Sequence, residues 1–296
     1  MGWGANSWLR ITNESTFGTY NSGGTATWLR LVGDTAFNGM PEPQRKELFS
    51  ADGGNTPVQN ISSRMKVGGK LRTPLYPTQA SVILGAATTL TSNDLTSYTI
   101  DHYDSFEAVR YLGCKIQGLD LSCSSESDEG IIMLDIDWVM QKFSSVTLAQ
   151  PAFSVFPTEN PYVHKESKGG LTIGGSTRTL YNMFKMSLKN KLAATFDEDT
   201  YISNLTYVGR TFDFSTNFQY TSATDRTNYE GQSGQVCSIV FTKASPAHTM
   251  TLDWKSSVRY TQRQRYTPLG DVARQELSFR SFFDATATTD FSFSTT

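Results

Sequence analysis

Hydrophobic and polar residues alternate along much of the chain, and the longest regular run extends from Thr249 to Thr261. Successive side chains of a β-strand point to opposite faces of a sheet, so this run predicts a long strand with one face in solvent. The same alternation predicts further strands, which are Ile131–Gln141, Thr211–Thr221 and Leu277–Phe283, with shorter ones at Met65–Leu71 and Leu112–Leu121. The pattern therefore predicts a mainly β protein.

Helical patterns are few. Thr78 is a candidate N-cap for a short helix that ends near Gly85 or slightly beyond, and a second short turn is predicted after Ser222. The segment Leu180–Leu192 fits both helical and strand spacing, so its periodicity leaves both interpretations open. We therefore expect one or two short helices beside the strands.

Proline and glycine cluster between Pro151 and Gly175, where the alternation is weak. This cluster predicts two β domains, residues 1–147 and 148–296, joined by a linker at about 148–175. A strand, an acidic loop and a second strand occur in each half, with the loops at Glu126–Glu129 and Asp197–Asp199. Any two β-hairpins share such a pattern, so a duplication and an unrelated pair of hairpins both remain open.

Charged residues make up 18% of the 296 residues and the net charge is −2, which gives no basic patch for gripping nucleic acid. Cys114, Cys123 and Cys237 form no CxxC pair, so we expect buried thiols rather than a disulfide framework or a zinc site. The first residues do not resemble a secretory signal, and no apolar run reaches the roughly 18 residues of a membrane-spanning helix.

Motifs of catalysis and cofactor binding are missing from the sequence. The three histidines lack metal-ligand spacing, and neither a GxSxG nucleophile motif nor a phosphate-binding glycine loop occurs. Asp135 and Asp137 form a D-x-D pair that would suit a cation or a glycosidase, although such pairs are common on solvated strands. We therefore predict no catalytic residues, no cofactor, no bound metal and no enzyme activity.

Four groups of segments follow one another along nearly the whole chain. They are Gly2-Trp3-Gly4 with Glu14–Thr19, Lys66–Pro77, Gly113–Leu121, and Met186–Leu192 followed by Val208-Gly209-Arg210. Together, in this order, they resemble the tail tube (major tail) proteins of long-tailed bacteriophages. The basic turn Lys189-Asn190-Lys191 departs from the expected pattern, but the resemblance still favours a strand there.

The resemblance implies a β-sandwich tube domain, possibly two in tandem, with a short flanking helix. Protomers would close into rings of three or six copies, and the rings would stack into a hollow virion tail tube through which DNA leaves the capsid. The tape measure protein and DNA would pass through the lumen without specific binding, and tail tip and tail terminator proteins would be further partners. Assembly would take place in the host cytoplasm, without membrane insertion. The alternatives are an outer-membrane-type β-barrel pore and a carbohydrate-binding module of a tail fibre.

A lumen that lets DNA slide should be poor in lysine and arginine, because cations would bind phosphates. Two strands meet this condition on their polar sides, and we predict that these lumen-lining residues are Asp135, Asp137, Gln141, Asp213, Ser215, Asn217 and Gln219. Residues 249–261 carry Lys255 and Arg259 on their polar face, which favours an outer sheet or a subunit contact. Three long polar segments, residues 1–24, 34–60 and 150–175, are expected to become ordered only on assembly.

Overall fold

The computed structural model describes residues 7–29, 37–49, 57–103, 106–125, 130–149, 151–167, 170–178, 181–197, 200–220, 223–244, 246–266, 274–282 and 290–296. The strands are β1 (Trp8–Asn13), β2 (Ala26–Leu29), β3 (Asn38–Phe49), β4 (Pro57–Pro74), β5 (Leu90–Thr91), β6 (Asp94–Leu95), β7 (Tyr98–Tyr103), β8 (Ala108–Ser124), β9 (Met133–Met140), β10 (Lys142–Ser145), β11 (Leu171–Ile173), β12 (Ser176–Arg178), β13 (Met183–Thr195), β14 (Asn204–Gln219), β15 (Gln235–Ala244), β16 (Ala247–Tyr266), β17 (Arg274–Ser281) and β18 (Phe291–Thr295). The helices are α1 (Pro77–Thr88) and α2 (Thr224–Glu230), and short 3-10 helices lie at Phe153–Val155 and His164–Ser167.

Sixteen of these strands form one antiparallel network, which divides into three sheets. The central sheet has the order β3-β4-β9-β8-β13-β14-β17-β16. The N-terminal sheet has the order β2-β1-β7-β8-β10 and the C-terminal sheet the order β12-β11-β15-β16-β18. Strands β8 and β16 are therefore shared, each running from a small sheet into the central one.

The predicted core faces lie inside this arrangement. Trp254 of the C-terminal sheet stacks on Phe214 of the central sheet with ring centroids 4.9 Å apart, and Phe212 stacks on Phe291 at 4.4 Å. Near the N-terminal sheet, Phe37 packs against Tyr111. Burial of this apolar surface is the main force that holds the three sheets together.

The predicted strands are confirmed, and the ambiguous segment forms strand β13 from Met183 onward. Phe283 and Leu180 lie outside the described residues, as do most of the two acidic loops. Helix α1 was correctly expected, but its predicted cap is wrong. Its N-cap is Tyr76, Pro77 is its first residue, and the Thr78 hydroxyl donates to Glu159 Oε1 at 2.6 Å. Proline is well suited to the first helical position because it needs no N–H partner there.

Two segments that were expected to order only on assembly, 1–24 and 150–175, already pack in the single chain over the parts that the structure describes. Strand β1 is the second-to-last strand of the N-terminal sheet, with Leu9 and Ile11 buried. In the linker, Tyr162 is buried, its N–H donates to Leu75 O, and its carbonyl accepts from the Ile132 N–H. This correction follows from pairing partners that are distant in sequence. In the remaining segment, residues 34–60, positions 38–49 and 57–60 form β3 and the start of β4, and positions 34–36 and 50–56 lie outside the described residues.

The order of strand pairing recurs along the chain. The pairs β1·β2, β1·β7, β7·β8, β8·β10, β3·β4, β4·β9 and β8·β9 have counterparts in β11·β12, β11·β15, β15·β16, β16·β18, β13·β14, β14·β17 and β16·β17. Helix α1 follows β4 and helix α2 follows β14, so the helices occupy corresponding positions. The pair β8·β13 connects the two series within the central sheet.

Candidate assembly surfaces

The central sheet carries a row of polar residues across its open face. Register places Asp135 opposite Asp120, Asp120 opposite Ser187, and Ser187 opposite Asp213, so all four side chains share one face. Residues two apart on a strand point the same way. The same face therefore also includes Asp137 of β9 and, from β14, the residues Ser215, Asn217 and Gln219.

This face carries both signs of charge. Arg280 donates to both carboxylate oxygens of Asp213, at 2.7 and 3.1 Å. Neighbouring strands supply three looser pairs, each 3.8 Å between nitrogen and oxygen, which are Arg72–Asp135, Lys70–Asp137 and Lys185–Asp120. Ion pairs this exposed contribute about 0–1 kcal/mol each. The two strands that supply the predicted lumen residues are poor in basic residues, but their neighbours are not.

Gln141 is not part of this exposed row. Strand β9 ends at Met140, and the Gln141 N–H donates to Leu112 O at 2.9 Å where the chain turns into β10. The Gln141 side chain lies against Gly18 and Gly113, both with positive φ, and a Cβ on Gly113 would fall 2.6 Å from Gln141 Cβ. Gln141 therefore packs at the bend of β8.

One end of the face is covered by the tip of the β13–β14 hairpin. Lys115 is buried beneath it, and its Nζ donates to Asp94 Oδ2 at 2.7 Å and to Leu205 O at 2.5 Å. Burial tends to raise the pKa of Asp94, but the hydrogen bond from Lys115 and those from the backbone N–H groups of Tyr207 and Leu95 outweigh it and lower the pKa. The hairpin also reaches β4, where the Met65 N–H donates to Thr200 O at 2.8 Å.

The internal junction between β8 and β13 is joined further by Asn190. Its side chain is buried, and Nδ2 donates to Ile116 O of β8 and to Ala87 O at the end of α1, both at 2.9 Å. Arg210 Nη1 donates to the next helix carbonyl, Thr88 O, at 2.6 Å. These two residues satisfy carbonyls that a helix end leaves without intrahelical partners.

The central sheet ends in two strands that have a described partner on one side only. Strand β3 pairs with β4, and β16 from Arg259 onward pairs with β17. Pro41 and Pro43 lie in β3, which keeps its register with β4 through both. A proline has no N–H, so it fits a ladder only where its nitrogen points away from the partner strand. The missing donors therefore face the open edge.

The predicted strand 249–261 lies in two sheets. Its first part belongs to the C-terminal sheet, and Arg259 lies at the open edge of the central sheet that β16 forms.

The three cysteine thiols are buried as free thiols and form no disulfide. Burial raises the pKa of the Cys123 and Cys237 thiols to about 12, and Cys114 is likewise buried, as the sequence predicted. Within the described ranges, no group of three or more histidine, cysteine, aspartate or glutamate residues is arranged to hold a metal ion. Among the same residues, no helix is both long and apolar enough to cross a membrane.

Sequence reasoning missed Lys115, Asn190 and the proline-bearing edge. Lys115 and Asn190 lie within alternating strand patterns, and nothing local in the sequence marks which polar residue of a strand will be buried. The two prolines spaced two apart in Pro41-Glu42-Pro43 were the available signal, because proline in a strand indicates an edge.

The described residues thus form a charged open sheet face and two unlike open edges, which are surfaces typical of a self-assembling structural protein. A family model described as phage tail tube protein matches residues 4–290. The chain therefore belongs to the phage tail tube protein family, whose role is structural and whose place is the virion tail. Among curated proteins, none matches the chain. The family match favours neither the membrane pore nor the carbohydrate-binding module.

Proposed function

We propose that the protein polymerises as stacked rings into a hollow tail tube, the conduit for DNA ejection into the host. The observation that carries this proposal is the pair of unlike open edges on the central sheet, β3 and the end of β16. Contacts between two different surfaces of one protein generate rings or filaments rather than simple dimers. Closure of the ring would also remove both edges, which are otherwise sites of aggregation.

We further propose that the ring contains three copies, each with two tandem tube domains, residues 1–147 and 148–296. The recurring order of strand pairing supports this division. Three copies of the eight-stranded central sheet make 24 strands. With strands about 4.8 Å apart and tilted by about 40°, the barrel would be about 48 Å across between backbones. Six copies would double this to about 96 Å.

The charged face of the central sheet is the proposed lumen wall, lined by Asp135, Asp137, Asp213 and the polar residues of β14. Because each aspartate has a lysine or arginine nearby, the wall would be close to neutral rather than acidic. Such a wall offers phosphates no net attraction. The tape measure protein and DNA would pass without specific binding, tip and terminator proteins would close the ends, and assembly would occur in the host cytoplasm.

Cryo-electron microscopy of the purified, assembled chain tests the ring. The expected result is stacked rings of three copies, about 48 Å across between barrel backbones, with Asp135 and Asp213 facing inward. A protein that stays monomeric at high concentration, or a wall with both aspartates outside, contradicts the proposal.

Infectivity tests the wall itself. Asp135→Lys with Asp137→Lys should leave tubes intact and impair DNA delivery, because added cations bind phosphates. The matched control is Asp253→Lys, on the outer polar face of the C-terminal sheet, which should not change delivery. Equal infectivity of both variants with intact tubes would show that wall charge is irrelevant.

A further inference from the structure

The two halves of the central sheet share two register shifts as well as their order, while a further shift, between Leu48 and Phe49, has no counterpart. In the β3–β4 hairpin the register shifts between Gln44 and Arg45, and in β13–β14 it shifts between Lys191 and Leu192. Against β9, strand β8 shifts between Ile116 and Gly118, and against β17, strand β16 shifts between Tyr260 and Gln262. A β-bulge is a specific feature of a strand rather than a random defect. These bulges therefore align the two halves residue by residue.

The alignment gives each residue of the internal junction a counterpart at an open edge. Gly118 is the first residue after its bulge, and its counterpart is Gln262. Lys189 lies two residues before Lys191, so its counterpart is Glu42, two residues before Gln44. Within the chain, Lys189 is opposite Gly118, and the pairing continues with Ser187 opposite Asp120 and Lys185 opposite Ser122.

We infer that the internal junction is the template for the contact between copies, a conclusion that rests on the proposed ring. The end of β16 pairs antiparallel with β3 of the next copy of this chain. Glu42 of that copy lies opposite Gln262, Met40 opposite Gln264, and Asn38 opposite Tyr266. The register, which strand alternation alone would leave undefined, is thus set by a contact already present within each molecule.

Arg259 takes the place of Lys115 in this scheme. Lys115 is opposite Val139 next to the bulge of β8, and Arg259 is opposite Arg280 next to the bulge of β16. Lys115 donates to the carbonyl of Leu205, whose counterpart in β4 is Asn60. Arg259 would therefore donate to the backbone carbonyl of Asn60 in the next copy.

Charge also suits the two edges to each other. The end of β16 carries Arg259, Arg263 and Arg265 without an acidic residue, whereas the facing part of β3, residues 38–44, carries Glu42 and no basic residue. The internal junction likewise joins opposite charges, Lys185 and Asp120, 3.8 Å apart. Complementary charge favours this register over wrong partners.

Disulfide trapping in the full chain tests the register. Glu42→Cys with Gln262→Cys should cross-link between copies, since Cα atoms of facing residues in antiparallel strands are about 4.5–5.5 Å apart, within disulfide range. Mild oxidation of the assembled protein should give linked dimers first and linked trimers as the largest species. The three native cysteines are buried and should not interfere.

Two control variants accompany the test. Asp120→Cys with Ser187→Cys occupies the internal junction, should close within one chain and should give no cross-linked dimer. Glu42→Cys with Tyr266→Cys is displaced by four residues, about 13 Å, and should not cross-link. Tubes that cross-link through the displaced pair, or fail to cross-link through the first pair, overturn the inferred register. The proposed function is not affected by that result. A wild-type chain that forms no rings overturns both the inference and the proposed function.

Discussion

The hairpins β13–β14 and β3–β4 share a bulge at corresponding positions but differ in their surroundings. The first is docked within the chain along β8, with Asn190 joined to α1 and Lys115 buried beneath its tip. The second has an open edge, and by the bulge alignment Pro41 and Pro43 stand where the first has Leu188 and Asn190. The contact that forms during folding therefore keeps the backbone N–H of Leu188, which lies opposite Leu119. The contact proposed to form between copies has no N–H at Pro41 or Pro43 and should be weaker for that reason.

The largest expected effect is a difference in monomer stability between the Lys115→Ala and Arg259→Ala variants. Lys115→Ala should destabilise the monomer by about 2–3 kcal/mol, because the buried Leu205 carbonyl loses its donor. The ion pair with Asp94 adds less, since the Asp94 side chain is 37% exposed. Arg259→Ala should leave monomer stability nearly unchanged and weaken tube assembly. Urea unfolding and sedimentation measure the two effects. Equal loss of monomer stability in both variants would contradict the difference between the junctions.

Asn190→Ala should destabilise the monomer by about 2 kcal/mol, because two buried carbonyls, Ala87 O and Ile116 O, lose a donor. Asn190→Asp is the matched control for shape, since it keeps the volume but cannot donate when ionised. It should be at least as damaging at neutral pH. Thermal unfolding of both variants provides the comparison, and an unaffected melting temperature would show that the joint with α1 is unimportant.

Pro41→Val with Pro43→Val should restore two N–H donors on the open edge. At about 0.5–1.5 kcal/mol per net hydrogen bond, the concentration needed for assembly should fall about tenfold or more. Pro57→Val, at the far end of β4, serves as the control. The critical concentration is read from sedimentation. A higher critical concentration would mean that the prolines help the contact rather than restrain it.

The smallest effect concerns pH. The folded-state pKa of Asp94 is lowered, so its contribution to stability is present above its unfolded pKa of about 3.9 and is lost as pH falls through the folded value. Asp94→Asn should therefore lower the melting temperature at pH 7 and make little difference at pH 2. A constant difference between wild type and variant across this range would exclude the charged form of Asp94 as the cause.

Local patterns in the sequence predicted the strands and the polar face, because alternation reports which side of a strand is buried. They could not reveal which side chains of neighbouring strands lie next to one another across the sheet. Asp135 looked unopposed in its own strand, yet Arg72 of β4 and Asp120 of β8 lie beside it. Gln141 shared the period of Asp137 but lies beyond the end of β9, where a turn breaks the alternation.

Proline and glycine suggested the proposed division of the chain. The acidic loops suggested a likeness between the hairpins β8–β9 and β13–β14, which the sequence left open. The bulges instead align β8 with β16 and β13 with β3. Register shifts depend on which strands are neighbours, so no reading of single strands can detect them.

Strands β8 and β16 each belong to two layers, and this continuity has a mechanical consequence. A force along the wall of an assembled tube would be carried by covalent backbone from the central sheet into the outer sheets, rather than by side-chain packing between them. The bend of β8 at Gly113, whose N–H is held by the buried carboxylate of Glu14 at 2.9 Å, is then a point where load changes direction. A tube built this way would resist sliding of its inner barrel against its outer layer, because the two layers are joined by continuous strands.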